Sequence, residues 1–105
     1  IVAAREQLQQ RSQVVGASSL RRIRTVEATY PREAKARGVS GWVDLEFTVT
    51  PDGSVGDIKV TGSQPAAVFD IAAVEAISRW RFEPVRRDGA AVEQRARLRM
   101  RFQID

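Results

Sequence analysis

At 105 residues, 43% of them apolar, the chain is long enough for one domain with a modest core and too apolar for a disordered tail. It has no Cys and no His, which removes disulfide frameworks, thiolate nucleophiles, ordinary zinc sites and His general bases. The net charge of +4, with fifteen of the seventeen cations being Arg, is compatible with an anionic partner without requiring one.

Residues 1–15 are rich in good helix formers, and Ile1, Ala4, Leu8 and Val15 fall near one helical face that Arg11 interrupts. The expectation is a helical extension, the tail of an upstream segment, followed by a Gly16-Ala17-Ser18-Ser19 linker. Residues 1–19 thus form an N-terminal extension and 20–105 the domain proper. Since the chain opens on Ile1, any anchor or signal is expected in a longer parent protein. No run of about 18 apolar residues offers a membrane span.

Leu20 to Tyr30 reads as an extended approach, because Pro31 pushes Tyr30 out of the helical region. Pro31 suits a first helical position, Glu33 to Arg37 continue a short helix and Gly38 ends it. Gly41 to Thr50 then alternates without a fault. Val43, Leu45, Phe47 and Val49 point one way, and Trp42, Asp44, Glu46 and Thr48 the other. Pro51-Asp52-Gly53 turns the chain, and Val55 to Thr61 returns as a second strand.

Phe69, Ala73, Ala76, Ile77 and Trp80 recur at helical spacing and predict the main helix over 69–80, stopped by Pro84. Arg86-Arg87-Asp88-Gly89 reads as a turn. The last strand, from about Val92 to Ile104, sets Ala96, Leu98, Met100, Phe102 and Ile104 on one face and Arg95, Arg97, Arg99 and Arg101 on the other.

One-sided helices and strands make an α+β, two-layer fold, with a short and a long helix on one face of a three-stranded antiparallel/mixed sheet. The Arg row of the last strand complements Asp44 and Glu46 better than Asp57 and Lys59, so the last strand belongs beside the first, in the order 2-1-3. The third strand is then left with a free edge.

Taken in order, Tyr30-Pro31, Ala34, the alternating Gly41 to Val49, Pro51-Asp52-Gly53, Phe69 with Ala73 and Ala76, and Trp80-Arg81-Phe82-Glu83-Pro84 resemble the TonB C-terminal domain family over about residues 20–105. No single piece is decisive; the ordered set, with the Trp80-Arg81-Phe82-Glu83-Pro84 stop after a helix, carries the specificity. The resemblance implies a periplasmic module, tethered to the inner membrane by a segment absent from this chain. It would grip the TonB box peptide of outer-membrane receptors and pass on work from an inner-membrane proton-driven motor complex. With no His or Cys the usual acid–base and nucleophile sets are incomplete, so neither enzyme activity nor a cofactor is expected. The box peptide would add as a strand to the third strand at Arg95, Ala96, Arg97, Leu98, Arg99, Met100, Arg101 and Phe102. Val26, Glu27, Ala28 and Thr29 would be a second contact surface; Glu27-Ala28-Thr29 stand where well-studied members have a Gln-Pro-Gln stretch.

Competing readings attach to single features. Alternating Arg on a strand can track a nucleic-acid backbone or another anionic surface, but Asp44 and Glu46 should neutralise part of it. A TonB-like interaction domain in a non-transducing protein is the other alternative. Trp80 and Phe82 read as core rather than ligand-facing. Trp42, on the polar side of its strand, is either half-covered by the N-terminal stretch or a partner contact. A free edge predicts a monomer with a tendency to weak or domain-swapped dimers.

Overall fold

The strand that organises the computed structural model is β3 (Gly41–Val49), whose Val43, Leu45, Phe47 and Val49 are fully buried. The structure describes residues 13–104. Around β3 lie β1 (Val14–Gly16), β2 (Arg22–Arg24), α1 (Arg32–Ala36), β4 (Val55–Gln64), α2 (Asp70–Ile77), β5 (Arg81–Phe82), β6 (Val85–Arg87), β7 (Ala90–Val92) and β8 (Gln94–Phe102).

β4 and β8 flank β3 on opposite sides, both antiparallel to it, so the three long strands take the order expected from their charges. Asp44 faces Arg99 across the ladder, and Arg99 Nε and Nη2 donate to the two carboxylate oxygens at 2.7 and 3.0 Å. This fork holds the Asp44 carboxyl below its usual pKa, first through the hydrogen bonds and then through the charge of Arg99. Arg95 reaches diagonally to Glu46 at 3.2 Å and across to Asp57 at 3.3 Å, and donates to Thr48 Oγ1.

Among the described residues the sheet has four strands rather than three. β1 pairs parallel with β8, matching Val14, Val15 and Gly16 to Arg95, Ala96 and Arg97. Val14 and Val15 are therefore strand, not helix, and Gly16 to Ser19 form a strand end and a 3₁₀ turn rather than a loose linker. The reason is non-local: two adjacent β-branched residues meet an unpaired backbone, whose hydrogen bonds outweigh a weak local preference. The helix expected over residues 1–12 lies outside the described residues. Two small ladders complete the fold. β2 pairs with β5, and β6 with β7 as a hairpin turning at Asp88-Gly89, which takes Val92 out of the last strand.

Both helices contribute to the core on one face of the sheet: Ala34 from α1, and Ala73 and Ile77 from α2, join the buried β3 side chains. α2 is shorter than its apolar pattern, because Phe69 caps it and Trp80 lies beyond its last turn. At one end of the core Phe69 stacks on Phe102 at 4.4 Å, and Tyr30 meets both rings edge-on at 5.4 and 5.9 Å. At the other end Phe82 lies 5.8 Å from Phe47 and 6.2 Å from Trp80.

The β3–β4 turn is held by its own side chains. The Asp52 carboxylate accepts from the Thr50 hydroxyl, from Ser54 Oγ at 2.7 Å and from Ser54 N–H at 3.0 Å. These bonds, Thr50 first, lower its pKa to about 2. A depressed carboxylate stabilises the fold above its ordinary pKa of 3.8 and loses that contribution as pH falls toward 2. An NMR pH titration should place the Asp52 midpoint near 2, and Thr50→Val should move it up toward 3.8. An unmoved midpoint would exclude the Thr50 hydroxyl as the main cause.

Candidate functional site

The expected site is the outer edge of β8, and the structure divides that edge in two. β1 covers Arg95, Ala96 and Arg97. Among the described residues, Leu98, Arg99, Met100, Arg101 and Phe102 have a strand partner only on the β3 side. The free edge is therefore shorter than expected by the three residues that β1 occupies.

Opposite the open part runs the approach segment that carries Val26, Glu27, Ala28 and Thr29. A groove of about 420 Å³ separates the two, and Val26, Glu27 and Ala28 share its lining with Met100, Arg101 and Phe102. The two stretches singled out in the sequence thus converge, except that Arg95 to Arg99 do not line this groove and neither does Thr29. Residues not singled out complete it, with Arg22, Tyr30 and Trp80 the largest.

Trp80 fixes the width of the groove. Its ring is 7% exposed in the core, and its indole N–H donates to the Val26 carbonyl at 2.9 Å. Trp80 is therefore core, as its helical spacing indicates, and also the post that holds the groove's outer wall. Nothing in the spacing of Trp80 points to Val26, which lies 54 residues away. The Arg22 guanidinium lies 5.8 Å from the Trp80 ring centroid. Behind this wall, β2 and β5 pair, and Glu83 N–H donates to Arg21 O at 2.9 Å, fastening the approach to the exit of α2.

The opposite edge of the sheet, β4, is longer but guarded. Its ladder with β3 shifts register twice, and Asp57 sits in the left-handed region at φ 46°. Such bulges twist an edge away from further pairing. Open backbone of regular geometry is thus concentrated at residues 98–102.

The Arg row is largely consumed by the fold. Arg95 and Arg99 are tied to carboxylates, and Arg99 also lies 3.9 Å over the Trp42 ring. Trp42 is covered by this guanidinium and packs near Gly62. Arg97 and Arg101 are exposed and make no ion pair among the described residues. Two separated cations are a poor track for a phosphate backbone. No cluster of potential metal ligands exists among the described residues.

Comparison with known proteins accords with this geometry. A family profile described as Gram-negative bacterial TonB protein C-terminal matches residues 26–104. Protein TonB of Pseudomonas aeruginosa is 39% identical over 88 residues, which cover 84% of this chain and 26% of that protein. Protein TonB of Escherichia coli K12 is 37% identical over 68 residues, covering 65% of this chain and 28% of that protein. The chain therefore spans little more than a quarter of the length of these relatives. The solution NMR structure of the Pseudomonas aeruginosa TonB CTD superposes with a TM-score of 0.72 at 39% identity, covering 84% of this chain and 89% of that one. TonB2 of Vibrio anguillarum gives 0.62 at 33% identity, covering 90% and 86%.

Proposed function

This chain belongs to the TonB C-terminal domain family, a family of non-enzymatic energy transducers, and from that premise we propose that it is a peptide-binding module of the periplasm. Its ligand is the TonB box of an outer-membrane receptor, taken up as an added strand on β8. Parts of the protein outside this chain connect it to the inner membrane and its proton-driven motor. The observation that carries the reading is the run of open backbone at residues 98–102, of which Met100, Arg101 and Phe102 face Val26 to Ala28 across a groove.

The chemistry follows from that backbone. An extended peptide entering the groove pairs its main chain with β8, and the alternating pleat presents every second side chain to the groove walls. Most of the affinity then comes from main-chain bonds. Pull along the peptide is borne by the β8–β3 ladder in the centre of the sheet. Single replacements such as Arg97→Ala or Arg99→Ala should weaken binding only modestly, by about threefold or less.

Chemical-shift mapping with a synthetic box peptide tests the site. The expected shifts centre on the amides of 98–102, with a second set at 25–28. Shifts centred on β4 at 55–64 would remove both the site and the argument from its guarded edge. Binding to DNA that weakens steeply with salt, with none to the peptide, would favour the anionic-surface reading instead.

A further inference from the structure

We propose that β1 is an internal occupant of the peptide's own edge, held by Gln94, and that a long peptide must displace it to bind in full register. The inference rests on the peptide-binding reading above and concerns how much of β8 a peptide reaches.

β1 does to Arg95, Ala96 and Arg97 what a bound peptide would do to Leu98 through Phe102: it adds a strand to the same edge. The occupant is short, so it contributes few main-chain bonds. Each is worth little net, because water or another strand can replace it. A peptide that continues past Leu98 can make those bonds itself. The exchange at 95–97 is therefore near balance, and side-chain contacts decide it.

Those contacts are specific. Gln94 is 2% exposed, and its amide Nε2 donates to the Gln13 carbonyl at 2.7 Å and to the Arg95 carbonyl at 2.9 Å. Its carbonyl oxygen accepts from Arg87 Nη2. A buried amide with donors and acceptor satisfied is a fixed point, and here it clamps the residue just before β1. At the other end Ala17 is 1% exposed, Leu20 N–H donates to its carbonyl at 3.1 Å, and Ser19 Oγ donates to Gly16 O at 2.8 Å. The 3₁₀ turn is thus anchored independently of the β1 ladder. Loss of the Gln94 clamp frees β1 to swing about Ala17 while the groove wall at 25–28, pinned by Trp80, stays in place.

Two forms of a synthetic TonB-box peptide make the test: a short form reaching only residues 98–102, and a long form reaching 94–102. Releasing β1 with Gln94→Leu should tighten the long form by about three- to tenfold, the worth of a hydrogen bond or two, and leave the short form unchanged. Because Gln94 is buried, a second variant locks β1 instead. Gly16 and Arg97 are register partners, and a Cβ at Gly16 meets nothing nearer than Ser18 Oγ at 3.7 Å. Gly16→Cys with Arg97→Cys introduces the chain's only two thiols. Oxidation with diamide should bring the long form down to the affinity of the short one, and dithiothreitol should restore it. If locking leaves the long form's affinity unchanged, or abolishes binding of the short form as well, β1 is not the competitor and the inference is overturned. If neither form binds the reduced protein, the peptide reading itself falls and this one with it.

Discussion

Replacing Trp80 with alanine is expected to destabilise the chain by about 3–5 kcal/mol, the range for losing a buried large aromatic. The ring is 7% exposed, packs near Phe82 at 6.2 Å and donates its N–H to Val26. Its removal leaves a cavity beneath α2's exit and a carbonyl without its donor. For a domain of this size the melting temperature should fall by about 12 °C or more. Chemical denaturation and a thermal melt measure both quantities. Trp80→Phe separates the two roles of the residue: most of the apolar volume stays and the hydrogen bond goes. That variant should lose less stability than the alanine variant and still bind the box peptide more weakly, because the wall at Val26 to Ala28 is no longer pinned. A melting temperature unchanged in Trp80→Ala would remove Trp80 from the core. Undiminished peptide binding in Trp80→Phe would remove it from the groove.

The second large effect is expected at Gly53→Ala. Gly53 lies at φ +89°, and a Cβ built there would fall 2.1 Å from the Phe82 carbonyl oxygen. The two backbones approach because Phe82 N–H donates to Gly53 O at 2.8 Å, docking the β3–β4 turn onto β5. A methyl group there costs about 1–2 kcal/mol for the left-handed conformation and about 1–3 kcal/mol more for the steric conflict. Against a typical total of about 5–15 kcal/mol, the sum of about 2–5 kcal/mol is a large fraction. β5 is paired with β2, so the damage should spread to the approach segment. Denaturant unfolding measures the loss, and amide exchange should show β2 and β5 losing protection together. A loss below about 1 kcal/mol would mean the turn lifts off β5 without cost.

How far each part of this molecule was legible from its residues follows from the range of the forces that shape it. β3 and β8 were visible because strict alternation is a local signal, repeated every second residue over nine residues in each. The order of the three long strands was visible because charge complementarity survives in the sequence: Asp44 and Glu46 needed the Arg row, and the ladder sets Asp44 opposite Arg99 and Glu46 within reach of Arg95. Trp80 declared itself as core by helical spacing and Phe82 by its aromatic bulk, and both are buried.

Only the tertiary structure decided the rest. Val14 and Val15 sit beside good helix formers, and their strand conformation exists because β8, some eighty residues on, offers them a backbone. The β6–β7 hairpin was hidden behind residues that read as a plain Arg-rich turn, because strands of three residues carry too little alternation to show. The bond from Trp80 to Val26 and the clamp from Gln94 to Gln13 join residues 54 and 81 positions apart, where no spacing rule applies. By itself the sequence determined the layers, the strand order and the family resemblance. Chain closure over long separations decided which part of β8 stays open, and it brought Val26 to Ala28 up to that part.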